Sequence, residues 1–131
     1  MEIKTQFIEQ SLTVNTYDID VAGHVNNGVY IRWLEDLRHG LFYKIYPLEK
    51  LLKANHYLVI TSNEIKYKKQ IKLFDKPIGK MILQSHSHGL FIFRTEISLD
   101  GQLVFTSTQK CVLINLITNK MFKGNINDLL S

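Results

Sequence analysis

The spacing of apolar residues changes along the first third of the chain. From Phe7 to Thr16 apolar and polar residues alternate, and a period of two predicts a half-buried strand. After a turn at Val21–Gly23 the spacing becomes three and four. That spacing predicts an amphipathic helix beginning at Asn26 or Asn27, both good capping residues. Its apolar stripe comprises Val29, Tyr30, Trp33, Leu34, Leu37, Leu41 and Ile45.

Beyond this helix the pattern becomes that of strands and turns. Pro47 is expected either to stop the helix or to start a short second one over Leu48–Ala54. Asp100–Gly101 is a strong signal for a β-hairpin. The predicted strands are Tyr57–Ile71, Pro77–Ser87, Leu90–Leu99 and Gln102–Leu116, and a terminal helical turn is predicted over Asn125–Leu130.

The order of these elements predicts the fold class. Strands joined by short turns form an antiparallel sheet, and a helix with one apolar stripe must be covered by that sheet. We therefore predict an α+β fold in which a curved antiparallel sheet wraps around one long helix. The 131 residues suit a single domain over 1–131 and are enough to bury a core.

The composition indicates the general class of protein and its expected location but not its function. The 45% hydrophobic and 21% charged residues are ordinary for a globular protein. No apolar run approaches the roughly 18–20 residues of a membrane span, and the first ten residues lack the layout of a signal peptide, so a cytoplasmic protein is expected. A single cysteine, Cys111, excludes an internal disulfide, and we interpret it as a buried small hydrophobe.

The charge of the chain favours an anionic partner. Its net charge is +4, which fits a phosphate-rich ligand in a general way. We find no zinc spacing, RNP-like aromatic motif or basic helix, so a nucleic-acid partner is not predicted. His86 and His88 have no third ligand nearby and are interpreted as loop residues, so no metal site is expected.

Candidate chemistry is concentrated around the turn before the long helix. Asp18 and Asp20 precede the glycine turn, and the helix N-terminus follows it. Free N–H groups at a helix N-terminus polarise a carbonyl or bind an oxyanion. An adjacent carboxylate attacks the carbonyl or activates water. We take Asp20 as the reactive acid and Asp18 as a structural one.

The segment YDIDVAGHVNNGVYIRWLEDLR resembles the signature of hot-dog-fold acyl-CoA thioesterases of the hydroxybenzoyl-CoA thioesterase type. That signature reads D-x-D-x-x-G-H-V-N-N-x-x-Y, followed along the helix by an aromatic residue, an acid and an arginine. The resemblance implies that Asp20 is the catalytic carboxylate and that the backbone N–H of Asn27 polarises the thioester carbonyl. It also implies that Gly23, His24 and Tyr30 shape the turn and the pocket.

The resemblance extends to the fold and the assembly. It implies a five-stranded antiparallel sheet around a central helix, in a homodimer or a homotetramer with sites at the subunit interface. The segment IKYKKQIKLFDKPI is similar to the family's strand, turn and acid pattern. Where the family commonly has a proline after its tyrosine and basic pair, this chain has Lys69 and Gln70. We expect that departure to alter the strand edge and not the chemistry.

The function implied is hydrolysis of an acyl-CoA thioester to a carboxylic acid and CoA, without a cofactor. Lys66 and Lys68 are the foremost candidates to bind the CoA phosphates, ahead of Lys69, Lys72, Lys76 and Arg94. The alternatives are an acyl-carrier-protein thioesterase and a non-catalytic acyl-CoA-binding module on the same fold. The sequence leaves open the acyl group, the choice between dimer and tetramer, and whether Asp20 is nucleophile or general base.

Overall fold

The computed structural model describes residues 6–130. Its main elements follow the predicted order of one strand, a long helix with a short one after it, and four more strands. They are β1 Phe7–Ser11, α1 Asn27–Ile45, α2 Leu48–Lys53, β2 His56–Tyr67, β3 Ile78–Ser87, β4 Leu90–Leu99 and β5 Gln102–Asn115. Short 3-10 turns cover Thr16–Asp18 and Ile126–Leu129.

The five strands form one antiparallel sheet in the order β1-β3-β4-β5-β2. β3, β4 and β5 are joined by hairpins, while β2 lies on the far side of β5 and forms one edge. The β2–β5, β3–β4 and β4–β5 pairings each contain a register shift. Such bulges strengthen the twist of a sheet. The sheet therefore curves around α1, as the sequence predicted.

α1 packs its apolar stripe against the concave face of the sheet. The Phe42 ring meets Phe91 and Phe93 of β4 edge-on, at centroid distances of 5.1 and 6.2 Å. Gly40 allows β1 to approach, because a Cβ there would lie 2.8 Å from the side chain of Ile8. The buried residues of α1 are Val29, Tyr30, Trp33, Leu34, Leu37, Leu41 and Phe42.

Two predicted strand ends were wrong, each for a structural reason. β1 ends at Ser11 and not at Thr16, because Leu12 turns into the core and the chain then enters a 3-10 turn. β2 ends at Tyr67 and not at Ile71. Ile71 is nevertheless fully buried, so an apolar residue in a loop continued the alternating pattern beyond the end of the strand.

Three expectations about composition are open to a structural check. Cys111 is fully buried on β5, which confirms its interpretation as a core residue. Within residues 6–130 no helix is both long and apolar enough to cross a membrane. The same part of the chain contains no group of three or more His, Cys, Asp or Glu side chains placed to hold a metal ion.

Candidate active site

A tight turn at residues 20–24 returns the chain to the start of α1. The Asp20 N–H donates to the His24 carbonyl at 2.9 Å, and the Gly23 N–H donates to the Asp20 carbonyl at 3.0 Å. Ile19 and Val25 form an antiparallel bridge beneath the turn. Gly23 has φ +80°, a left-handed conformation that glycine adopts without strain. The predicted turn is thus present and depends on its glycine.

The Asp20 carboxylate is held by backbone donors within this turn. Its Oδ1 accepts the N–H of Ala22 at 2.9 Å and that of His24 at 3.2 Å. Oδ2 makes no hydrogen bond to any residue that the structure describes, and the side chain is exposed. Asp20 is therefore a turn acid, and one of its oxygens stays available for chemistry.

The helix N-terminus faces the same region. Asn26 is the N-cap, and its Oδ1 accepts the Gly28 N–H at 3.0 Å. The N–H of Asn27, the first residue of α1, finds no acceptor in the part of the chain described, as expected for an initial helical N–H. The Asn26 N–H donates to the Asp18 carbonyl at 2.9 Å. Asp18 and Asn26 therefore pair on one side of the Ile19–Val25 bridge, and Asp20 and His24 pair on the other side. His24, the partner of Asp20, lies three residues before Asn27, the first residue of α1.

The side chain of Asp18 lies on the buried side of the paired segments 18–20 and 24–26. It is 1% exposed, its Oδ2 accepts the Asn15 N–H at 2.9 Å, and both its oxygens lie 3.3 Å from the Arg32 guanidinium. Burial raises the pKa of the carboxyl, but the Asn15 N–H and the Arg32 cation together outweigh burial and lower that pKa. Asp18 ties the preceding loop to α1, which agrees with a structural role.

Tyr30 lies beneath the site, within the core. Its ring stacks on Phe105 at 4.9 Å and meets Trp33 and Tyr67 edge-on. It is 2% exposed, and burial raises its pKa, while its oxygen accepts the backbone N–H of Ile71. In this structure Tyr30 supports the segment alongside the turn; direct contact with a substrate stays a prediction.

The basic residues are divided between the site and other surfaces. Lys72 forms a bridge with His24, and its N–H donates to Asp75 Oδ2 at 2.8 Å, so Lys72 lies alongside the turn. Tyr67 points toward Tyr30 and α1, so strand alternation puts Lys66 on the opposite face of the sheet. Lys68 follows β2, and its N–H donates to the Val104 carbonyl at 2.8 Å.

The structure thus gathers most of the predicted site and adds one residue to it. Asp20, Gly23 and His24 share one turn, α1 begins three residues later at Asn27, and Lys72 bridges to His24. From the sequence alone, Lys72 is a lesser candidate than Lys66 and Lys68. No local pattern signals its position, because it depends on a loop after β2 pairing with the turn before α1.

A family model described as the thioesterase-like superfamily matches residues 14–123, a span that includes the turn, α1 and all of β2 to β5. No curated protein matches the chain.

Among solved structures, YbaW, a probable thioesterase from Escherichia coli, is 25% identical over 93% of this chain and 95% of its own, with a TM-score of 0.78. SAV2348 from Staphylococcus aureus, solved in complex with CoA, is 15% identical over 98% and 84%, with a TM-score of 0.86. The DHNA-CoA thioesterase from Staphylococcus aureus is 20% identical over 89% and 80%, with a TM-score of 0.79. These likenesses confirm the predicted hot-dog fold.

Proposed function

Because the chain belongs to the thioesterase-like superfamily, we propose that it hydrolyses acyl-CoA thioesters to a carboxylic acid and CoA. Membership confirms the predicted class of enzyme, a thioester hydrolase. The observation that carries the finer proposal is the pairing of an anchored carboxylate, Asp20, with a free N–H at the start of α1. The CoA portion of the substrate is supported by the CoA complex of SAV2348 and by the net charge of +4.

The helix N-terminus supplies the electrophilic part of the mechanism. A thioester carbonyl oxygen within hydrogen-bond distance of the Asn27 N–H would be polarised before reaction and stabilised as an oxyanion in the tetrahedral intermediate. One such donor contributes about 3 kcal/mol to lowering the barrier. The donor is part of the backbone and is held by the Asn26 cap, so it needs no reorganisation during the reaction.

Asp20 supplies the nucleophilic part. In one route its free oxygen attacks the carbonyl carbon, the C–S bond breaks, CoA leaves as thiolate and takes a proton from solvent, and water then hydrolyses the mixed anhydride. In the other route the same oxygen removes a proton from water as that water attacks the carbonyl carbon. The C–S bond then breaks, and CoA leaves as thiolate and takes up the proton. Both routes use Oδ2, because Oδ1 is occupied by the N–H groups of Ala22 and His24.

The CoA phosphates need cations outside this reaction centre. Lys72 is the candidate that the structure supports best, because it lies alongside His24 in the turn. Lys68 follows β2 at the same end of the sheet as the helix N-terminus, while Lys66 lies on the outer face. We therefore rank Lys72 first and keep Lys68 and Lys66 as further contacts to the nucleotide end of CoA.

An open strand edge supports the proposed homo-oligomer. Within residues 6–130, β2 pairs only with β5 and leaves its other edge free, and Ile60 and Tyr67 on this strand are 38% and 47% exposed. A long exposed edge with apolar side chains is a template for pairing with a second strand. We propose a homodimer formed through β2, in the cytoplasm, and light scattering should give twice the monomer mass.

The central experiment compares Asp20→Asn with the wild-type protein on a panel of acyl-CoAs, with free thiol as the readout. Asparagine keeps an oxygen for the Ala22 and His24 N–H groups, so the turn persists while the carboxylate is lost. We expect kcat to fall by about 10²- to 10⁴-fold, the usual contribution of a positioned acid or base. Asp100→Asn, in an exposed hairpin turn, is the matched control and should leave turnover unchanged.

Other outcomes separate the parts of the proposal. Unchanged turnover in Asp20→Asn would remove Asp20 from the mechanism and leave the activity standing. Turnover of acyl-carrier-protein thioesters in the absence of CoA ester cleavage would reassign the substrate. Acyl-CoA binding without turnover of either substrate would indicate a binding module.

A further inference from the structure

A second cleft lies at the opposite end of the molecule from the Asp20 turn. It has a volume of about 520 Å³ and lies between the β3–β4 hairpin and residues 123–127. The ring of Tyr46, the C-cap of α1, is 6.4 Å from that of His86 in the cleft wall. The 19 residues of α1 span about 28 Å, which separates this cleft from the helix N-terminus. Its volume is in the range of small-molecule sites.

The cleft has a cationic and amide lining. Lys123 supplies an ammonium, His86 and His88 supply imidazole rings that can donate an N–H, and Asn125 and Asn127 supply amides. No aspartate or glutamate is among the described residues that line it. Such a lining favours an anion, since a lysine ammonium binds phosphate as a point charge and imidazole and amide N–H groups add donors.

An aromatic stack forms one wall. The His86 ring lies parallel to the Phe91 ring, with 5.5 Å between centroids and 7° between planes. Phe91 is 1% exposed, while His86 is exposed and lines the cleft, so part of the imidazole is accessible from the cleft. An accessible aromatic ring is a platform on which a planar ring can stack.

The frame of the cleft is held rigidly. There is no space for a side chain at Gly89, because a Cβ at this residue would be 1.6 Å from the Phe122 carbonyl oxygen. The Leu113 N–H donates to the Gly89 carbonyl at 3.0 Å, and the Phe122 N–H donates to the Leu113 carbonyl at 2.7 Å. Ile126 is buried and anchors the facing wall. The cleft is therefore preformed and is not a gap between two loose segments.

The hairpin that forms the cleft also uses an unusual turn residue. His88 and Gly89 have φ +51° and +80°, and the other two-residue hairpin has nearly the same angles at Asp100 and Gly101. Asn or Asp is preferred at the first of these positions, as in the second hairpin. Turn geometry alone does not require a histidine at 88, and an imidazole there adds a donor to the cleft.

We propose that this cleft binds a nucleoside phosphate, with the base stacked on His86 and the phosphate held by His88 and Lys123. A planar ring and an anionic group in one molecule match the aromatic wall and the cationic lining together. The proposal is independent of the proposed thioesterase reaction, because the two sites lie at opposite ends of α1.

The test is titration calorimetry of the full chain with AMP, ATP and orthophosphate. We expect both nucleotides to bind and orthophosphate to bind at least about tenfold more weakly, since it lacks the base. Lys123→Gln and His88→Asn should each weaken nucleotide binding by about tenfold, the loss expected for one charge-assisted contact. Asparagine suits the turn, so His88→Asn should remain folded. Lys120→Gln, an exposed lysine outside the cleft, is the matched control and should have no effect.

Three results would overturn the assignment. The first is the absence of nucleotide binding at millimolar concentration. The second is orthophosphate binding as tightly as AMP, which would leave the base without a role. The third is nucleotide binding that survives His88→Asn and Lys123→Gln together but is lost in Lys72→Gln, which would place the nucleotide at the Asp20 turn.

Discussion

Replacing Gly89 by alanine should destabilise the fold much more than the same replacement at Gly101. The two glycines are the second residues of equivalent hairpin turns, with φ of +80° and +79°. They differ in what surrounds them. A Cβ at Gly101 would meet no atom within 4 Å, whereas at Gly89 it would lie 1.6 Å from the Phe122 carbonyl oxygen. Comparing the two alanine variants therefore separates the free-energy cost of the left-handed backbone from the cost of the steric contact.

The expected magnitudes follow from these two contributions. A left-handed alanine costs about 1–2 kcal/mol, and this part is common to both variants. At Gly89 the Phe122 carbonyl must also move by nearly 2 Å to reach ordinary van der Waals contact. Its residue is held by a 2.7 Å hydrogen bond to Leu113 and by the Phe122 ring against His56. Overpacking of this kind adds about 1–3 kcal/mol and a lost hydrogen bond about 1. We expect about 3–6 kcal/mol for Gly89→Ala and about 1–2 for Gly101→Ala.

Urea unfolding followed by the fluorescence of Trp33, the only tryptophan, measures both variants. Trp33 is buried on α1, so its emission reports the loss of the core. Equal m-values allow the two midpoints to be compared directly. Similar losses of stability at the two positions would refute the reasoning, because they would mean that residues 122–124 move away from the new Cβ at no cost in free energy.

Further predictions concern buried polar groups. Asp18→Asn removes the ion pair with Arg32 and should cost about 1–3 kcal/mol at pH 7. Because the pKa of Asp18 is lowered in the fold, its stabilisation is present above the unfolded value of 3.8 and is lost as pH falls through the folded value, so the variant should lose less stability on acidification. Burial raises the pKa of Cys111 to about 11, and labelling with a thiol reagent at pH 8 should be slow until denaturant is added. Tyr30→Phe leaves the Ile71 N–H without its acceptor and should cost about 1–3 kcal/mol by thermal or urea unfolding.

The elements predictable from the sequence are those determined by local pattern. The stripe from Val29 to Leu41 identified α1 because a helix repeats every 3.6 residues. Asp100–Gly101 identified a hairpin because both residues tolerate positive φ. The signature around Asp20 added the fold and the enzyme class by resemblance. Each of these features is encoded within a short window of the chain.

The features that the sequence did not reveal depend on contacts between distant segments. Ile71 lies in a loop but is buried by the turn before α1, so its apolar character was mistaken for the end of a strand. Lys72 lies beside the site because residues 71 and 72 pair with residues 24 and 25 in front of α1. Arg32 is fourteen residues from Asp18 and has an ordinary exposed position on its helix, so nothing local marks it as the partner of a buried carboxylate.

The two acids of the signature show why their spacing alone could not assign their roles. Residues two apart share a face in an extended strand, but the 3-10 turn that ends at Asp18 breaks this relation. Asp18 is enclosed and has both oxygens engaged by Arg32 and Asn15. Asp20 is exposed and has its two hydrogen bonds on one oxygen. A carboxylate neutralised by a guanidinium is a poor nucleophile and a poor base, whereas one fixed through a single oxygen is both oriented and reactive. The roles that we propose for the two acids therefore rest on their environments and not on their positions in the signature.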